Sequence, residues 1–249
     1  MPLESGVFLL DRYRIEHLHQ LASESAVYRA HDTLTNSVVA IKENLISDPA
    51  AGRHFALEAS ILASLRHPNI PRGLDYFIVD NGQFLVMEFI EGEEIADWNV
   101  RNSPSVPELV SVLGGLFDAV TYLHSLKPPV IHRDIEPSNI LLTARLSTYL
   151  VDFGQAKRFQ PPNVFLSQGV LTDQRTDQYS LAATIYALLI GSPPPDSMER
   201  LETETAIPSI SASRPDVSSR MEQAIIKALS LKPSDRHKDV QAFRRSLGR

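Results

Sequence analysis

Residues 131–142, IHRDIEPSNILL, put a carboxylate at Asp134 and an amide at Asn139 within one short stretch, and Val151-Asp152-Phe153-Gly154 adds a second carboxylate soon after. Carboxylate and amide oxygens are hard ligands of the kind magnesium takes. Upstream, Val39-Ala40-Ile41-Lys42 ends an apolar run in a lysine, and Glu58 follows in the next segment. Phosphoryl transfer asks for such a set: a lysine on the phosphates, metal ligands, and a carboxylate that orients the acceptor hydroxyl. Taken singly each residue is ordinary, Lys42 a solvated lysine at a strand end and the others polar residues of surface loops. Their order along the chain argues against coincidence.

Those residues need rigid elements around them, and the pattern supplies two regions. Strand-like runs at 14–18, 26–31 and 38–44 surround one helical segment at 53–65, in which Phe55, Ala59, Leu62 and Leu65 recur at helical spacing. Two more strands, 75–79 and 83–88, are joined by Asp80-Asn81-Gly82, whose Asn-Gly pair suits a tight hairpin turn. Beyond Ile90-Glu91-Gly92 the pattern predicts helices at 106–125, 177–190, 220–229 and 238–247, the last two separated by Leu231-Lys232-Pro233-Ser234-Asp235. Prolines at 128–129, 161–162 and 193–195 punctuate loops.

His132-Arg133-Asp134 with Asn139, then Asp152-Phe153-Gly154, resembles the catalytic loop and metal-binding turn of protein kinases, and Val39-Ala40-Ile41-Lys42 resembles their lysine strand. Over residues 13–247 the chain is similar to bacterial serine/threonine protein kinases of the eukaryotic-like type. The resemblance implies an α+β, two-lobed protein-kinase fold: a small antiparallel-sheet N-lobe with one main helix (about 1–88), a hinge (88–92) and a larger, mostly helical C-lobe (92–249), as one domain of residues 1–249. It implies ATP with magnesium, or manganese in its place, bound between the lobes. In that reading Lys42 grips the inner phosphates and pairs with Glu58, Asp134 orients the acceptor hydroxyl and accepts its proton, and Asn139 and Asp152 ligate the metal. Met87 falls at the gatekeeper position, Glu88 and Ile90 at the hinge that meets the adenine edge, and Val27, Ala40 and Leu141 sandwich the base. Leu62, Phe77, His132 and Phe153 are expected to stack as an apolar column tied to Asp177.

The chain departs from the family in three places. Aligned on Val27-Tyr28, the glycines of the phosphate-covering loop are replaced by Gln20, Ala22 and Ser25, with Glu24 at the tip, so the loop should still close as a hairpin yet cradle phosphate less well. Glu136 stands where the family places a lysine beside the transferred phosphate, and Lys157 or Arg158 is a candidate partner for it. The segment 155–174 lacks the Gly-Thr-x-x-Tyr and Ala-Pro-Glu elements, which leaves Arg236 without its family glutamate; Ser167 and Thr172 are candidate phosphate acceptors near Arg133.

With 249 residues and 43% hydrophobic content the chain can bury a substantial core, and the absence of cysteine excludes disulfides and thiolate metal sites. A net charge of −6 without a dense basic block speaks against nucleic acid or an anionic membrane as the main partner. No leader is read at the N-terminus, and the longest apolar stretch is read at 180–190, too short to cross a bilayer, so a cytoplasmic protein is expected. Two functions stay open. One is an ATP-dependent protein kinase with a protein substrate; the other is a pseudokinase that serves a signalling partner as a scaffold, with or without nucleotide. Nucleotide-dependent modification of a small molecule, or transfer of AMP, is a third and weaker reading.

Overall fold

In a computed structural model, which describes residues 2–159 and 173–248, the chain forms two compact units, Met1–Glu91 and Gly92–Arg249. The first unit is a six-stranded antiparallel sheet with one helix. Its strands are β1 (Phe8–Leu9), β2 (Tyr13–Leu21), β3 (Ser25–Asp32), β4 (Ser37–Asn44), β5 (Gly73–Val79) and β6 (Gly82–Glu88), in the spatial order β1-β2-β3-β4-β6-β5, and helix α1 (Pro49–Ser64) follows β4.

Strict alternation builds this unit's core. Along β3 every second residue is buried, and Ala26, Tyr28 and Ala30 join Tyr13, Ile15, Val39, Ile41, Phe77, Phe84 and Val86 in one cluster on a single face of the sheet. Phe77 stacks between Tyr13 and Phe84, with ring centroids 5.7 and 5.4 Å away. Its neighbour Tyr76 points to the other face and meets Phe55 of α1. Phe77 is therefore not in a column with Leu62, which α1 buries on the opposite side; adjacent strand residues cannot share a face.

Local chemistry sets the boundaries. Helix α1 begins four residues before the predicted start because the Asp48 side chain accepts from Ala50 N and Ala51 N and Pro49 fits the first helical turn. The β5–β6 turn has Asp80 and Asn81, both at positive φ (48° and 68°), as its central pair, with Val79 and Gly82 closing the ladder; the turn thus lies one residue earlier than the Asn-Gly signal suggested. At Gly73 a side chain would come within 2.8 Å of Ala63 N, so β5 and α1 approach as closely as they do only with glycine there.

The second unit is mostly helical. It contains β7 (Gly92–Glu94), α2 (Ile95–Asn102), α3 (Val106–Val112), α4 (Gly114–Ser125), β8 (Val130–Ile131), β9 (Ile140–Thr143), β10 (Thr148–Leu150), β11 (Lys157–Arg158), α5 (Gln174–Ile190), α6 (Ser197–Thr203), α7 (Ile210–Ser213), α8 (Ser219–Ala228) and α9 (Val240–Ser246). Strands β10, β9 and β7 form one small sheet, and β11 and β8 a second. Helix α4 packs on β10 and α9, where Phe117 meets Phe243 edge-on, and α5 packs on α8.

The predicted helix 106–125 is two helices. Gly114 and Gly115 follow the break at Leu113, and the Thr148 hydroxyl donates to the Val112 carbonyl at 3.1 Å. Among the described residues this 20-residue segment, rather than 180–190, is the one long and apolar enough to cross a bilayer, yet half of its apolar window is buried inside the fold.

Candidate active site

The face of the first sheet that points away from the aromatic cluster carries four of the expected nucleotide residues, Val27, Ala40, Lys42 and Met87. Ladder pairing sets Val27 opposite Lys42 and Lys42 opposite Leu85 in one row, and Ala40 opposite Met87 in the next. Lys42 Nζ donates to Glu58 Oε1 at 2.8 Å, and both side chains are nearly excluded from solvent. Strand β4 supplies the lysine and the buried stripe of α1 the glutamate, so the pair fastens helix to sheet. Glu88 N donates to Arg72 O and its carboxylate sits 3.6 Å from Arg72 Nε, while Ile90 is buried.

The loop Leu18 to Ala26 closes as a hairpin without its glycines. Ala22 N donates to Ser25 O at 2.9 Å, Leu45 N donates to Glu24 O at 3.0 Å, and the Glu24 side chain is exposed.

In the second unit Asp177 organises everything around the acid loop. Its fully buried carboxylate accepts from His132 N at 2.9 Å, Arg133 N at 2.7 Å and His124 Nε2 at 2.8 Å. Arg133 holds φ at 72°, a conformation that costs a non-glycine residue roughly 1–3 kcal/mol, and the two amide bonds to Asp177 offset it. Thr184 Oγ1 donates to Ile135 O at 2.9 Å and pins the far side of the loop. His124 and Thr184 were not legible as partners, since nothing in their local sequence marks them.

Asp134 is held between these anchors. Asn139 Nδ2 donates to the Asp134 carbonyl at 3.0 Å and to its Oδ2 at 3.1 Å, which turns Asn139 Oδ1 away as a remaining acceptor. Val151 N donates to Asn139 O and so carries Asp152 alongside; Asp152, at φ 56°, is exposed and accepts from Gly154 N at 3.0 Å. Phe153 is buried edge-on against His132, 4.8 Å between centroids. Burial pushes the His132 imidazole below its ordinary value. Burial, reinforced by repulsion from Glu136, pushes the Asp134 carboxyl up from its ordinary value. Leu141 lies on β9 in this unit, half-buried.

Among the described residues no group of three or more His, Cys, Asp or Glu side chains is placed to hold a metal ion. One amide oxygen and one carboxylate still fit magnesium, which keeps several waters and takes one or two protein carboxylates plus phosphate oxygens.

The departures from the family now have geometry. Glu136 is exposed, accepts from Ser138 Oγ, and makes no ion pair with Lys157 or Arg158 among the described residues. Arg236 is amply satisfied despite its absent glutamate: it donates to Ser230 O at 2.8 Å, Arg175 O at 2.7 Å and Leu231 O at 3.2 Å, and lies over the Tyr179 ring at 4.8 Å. Ser167 and Thr172 lie outside the described residues.

The family model for the protein kinase domain matches residues 22–246. The chain belongs to the protein kinase domain family. A probable serine/threonine-protein kinase PknB of Lactococcus lactis is 29% identical over 96% of the chain and 42% of its own length, and the serine/threonine-protein kinase PrkC of Bacillus subtilis is 28% identical over 95% and 40%. The chain thus spans about two-fifths of the length of these curated relatives. The PknI kinase domain of Mycobacterium tuberculosis superposes with a TM-score of 0.78 at 28% identity, covering 99% of this chain and 98% of that one. The apo form of PpkA-294, at 23% identity, reaches 0.82 over 99% of both chains and speaks for the fold alone. The fold is that of a protein kinase, and the relatives are bacterial serine/threonine kinases.

Proposed function

We propose that the chain is an ATP-dependent protein serine/threonine kinase. The observation that carries this reading is Asp134, raised in pKa and fixed by Asn139 within a loop whose backbone Asp177 clamps. A carboxylate held in one orientation, with affinity for a proton above the ordinary, is what an acceptor hydroxyl needs beside it. In the transfer the acceptor oxygen bonds to the γ-phosphorus of ATP, the bond from that phosphorus to the bridging oxygen breaks, and ADP leaves with the electron pair. Asp134 orients the acceptor hydroxyl and takes its proton. Lys42, steadied by Glu58, binds phosphate oxygens, and Val27, Ala40, Met87, Glu88, Ile90 and Leu141 serve the base. Asn139 Oδ1 and Asp152 would hold magnesium, or manganese, which would supply positive charge to the phosphates. The same reading puts the chain in the cytoplasm, where ATP is.

The test is transfer of label from γ-labelled ATP to generic protein acceptors with magnesium or manganese. Label should appear with the native chain and vanish in Asp134→Asn and Asp152→Ala; label that survives both substitutions refutes the assignment.

A second reading, a nucleotide-binding or nucleotide-free scaffold, is favoured by the exposed negative charge of Glu136 and by the glycine-free loop. Thermal-shift titration separates the readings. A melting temperature raised by ATP and magnesium without turnover supports a nucleotide-binding scaffold, and no shift at millimolar ATP supports a scaffold that ignores nucleotide.

A further inference from the structure

Glu136 is an exposed carboxylate in the acid loop, two residues after Asp134. Its side chain is exposed, the hydroxyl of Ser138 is its hydrogen-bond donor, and no cation pairs with it among the described residues. The backbone on both sides is fixed: Ile135 O is held by Thr184, and the 3-10 turn Pro137–Asn139 begins at the next residue, closed by Asn139 N donating to Glu136 O at 3.0 Å. The carboxylate consequently stays two residues from Asp134, and its charge is felt there. Asp134 and Asp152 add charge of the same sign, while Lys157 and Arg158 on β11 do not pair with Glu136.

A hydroxyl delivered to Asp134 therefore arrives beside an unneutralised carboxylate. Lysine or arginine next to that hydroxyl is attracted, and aspartate or glutamate is repelled. We infer that Glu136 determines specificity: it selects protein acceptors with a basic residue directly beside the serine or threonine, so that the substrate brings the positive charge that position 136 lacks. The inference rests on the kinase reading above.

Three peptides, identical except that lysine, alanine or glutamate flanks one serine, would be assayed with ATP and magnesium or manganese, using the native chain, Glu136→Gln and Glu136→Lys. The native chain should favour the lysine-flanked over the glutamate-flanked peptide by about tenfold in kcat/KM, which corresponds to about 1.4 kcal/mol. High salt should shrink that preference. Glu136→Gln should flatten it, and Glu136→Lys should invert it; a purely structural role for Glu136 would change all three rates together. Equal rates on the three peptides, or a preference that persists in Glu136→Gln, overturns the inference and leaves the kinase reading in place. No transfer to any peptide by any of the three proteins overturns both.

Discussion

Replacing Asp177 with alanine removes one carboxylate and strands the backbone of two residues in the acid loop. His132 N and Arg133 N lose acceptors at 2.9 and 2.7 Å, and His124 Nε2 loses one at 2.8 Å. Hydrogen bonds to a charged group contribute about 1.5–3 kcal/mol each, so the two amides alone account for roughly 3–6 kcal/mol. The desolvation of a fully buried carboxylate, relieved in the variant, pulls the net toward the lower end, about 3–4 kcal/mol. For a chain of this size 1 kcal/mol moves the melting temperature by roughly 2–4 °C, so Asp177→Ala should melt about 10 °C lower. Asp177→Asn keeps one acceptor oxygen and should lose about half as much. Denaturant melts give the free energies independently. If Asp177→Ala unfolds within about 0.5 kcal/mol of the native chain, the claim that Asp177 holds Arg133 at positive φ is wrong.

Lys42→Met removes the cation 2.8 Å from buried Glu58 and should cost about 3–5 kcal/mol, with much of the loss recovered in the Lys42→Met, Glu58→Leu double variant; denaturation of the four proteins measures the coupling. In the proposed kinase reaction Asp134 acts as the carboxylate, so turnover should rise as pH climbs through its raised pKa, and Glu136→Gln, which removes a repelling charge, should move that rise to lower pH in a pH–rate profile. Arg236→Lys keeps the charge but loses the fork that reaches three carbonyls, and should lower the unfolding free energy by about 2 kcal/mol, read as a lower denaturation midpoint at unchanged slope.

What was legible in the sequence was local or ordered along the chain. The lysine strand and the amphipathic stripe around Phe55, Ala59 and Leu62 each carry a period, and the acid loop and Asp152-Phe153-Gly154 carry a fixed order, so all four could be placed. Phe77 was misassigned because a residue's face depends on pairing register: one step along β5 separates the side of Tyr76 and α1 from the side of Tyr13 and Phe84. The break at Leu113 was missed because the Thr148 hydroxyl that takes the Val112 carbonyl is remote in sequence. Helices α2, α6 and α7 escaped because they are short, and α6 buries nothing that would leave an apolar stripe.

The three departures from the family pattern differ in how far the fold answers them. Arg236 lost a carboxylate and acquired three backbone carbonyls and an aromatic face, so the site that the missing Ala-Pro-Glu glutamate would have stabilised is locally complete. The glycine-free loop still closes, its backbone tied to Ser25 and Leu45. Glu136 receives no compensating charge among the described residues, and its repulsion raises the Asp134 carboxyl. Stability arguments therefore bear on the first two lesions, whereas the third concerns charge beside Asp134, where no cation pairs with Glu136 among the described residues. A hydroxyl or a carbonyl can be replaced by a neighbour already in the fold. In the kinase reading proposed above, the positive charge missing at position 136 has to come from metal or substrate, and the response of turnover to Glu136→Lys measures how much of it does.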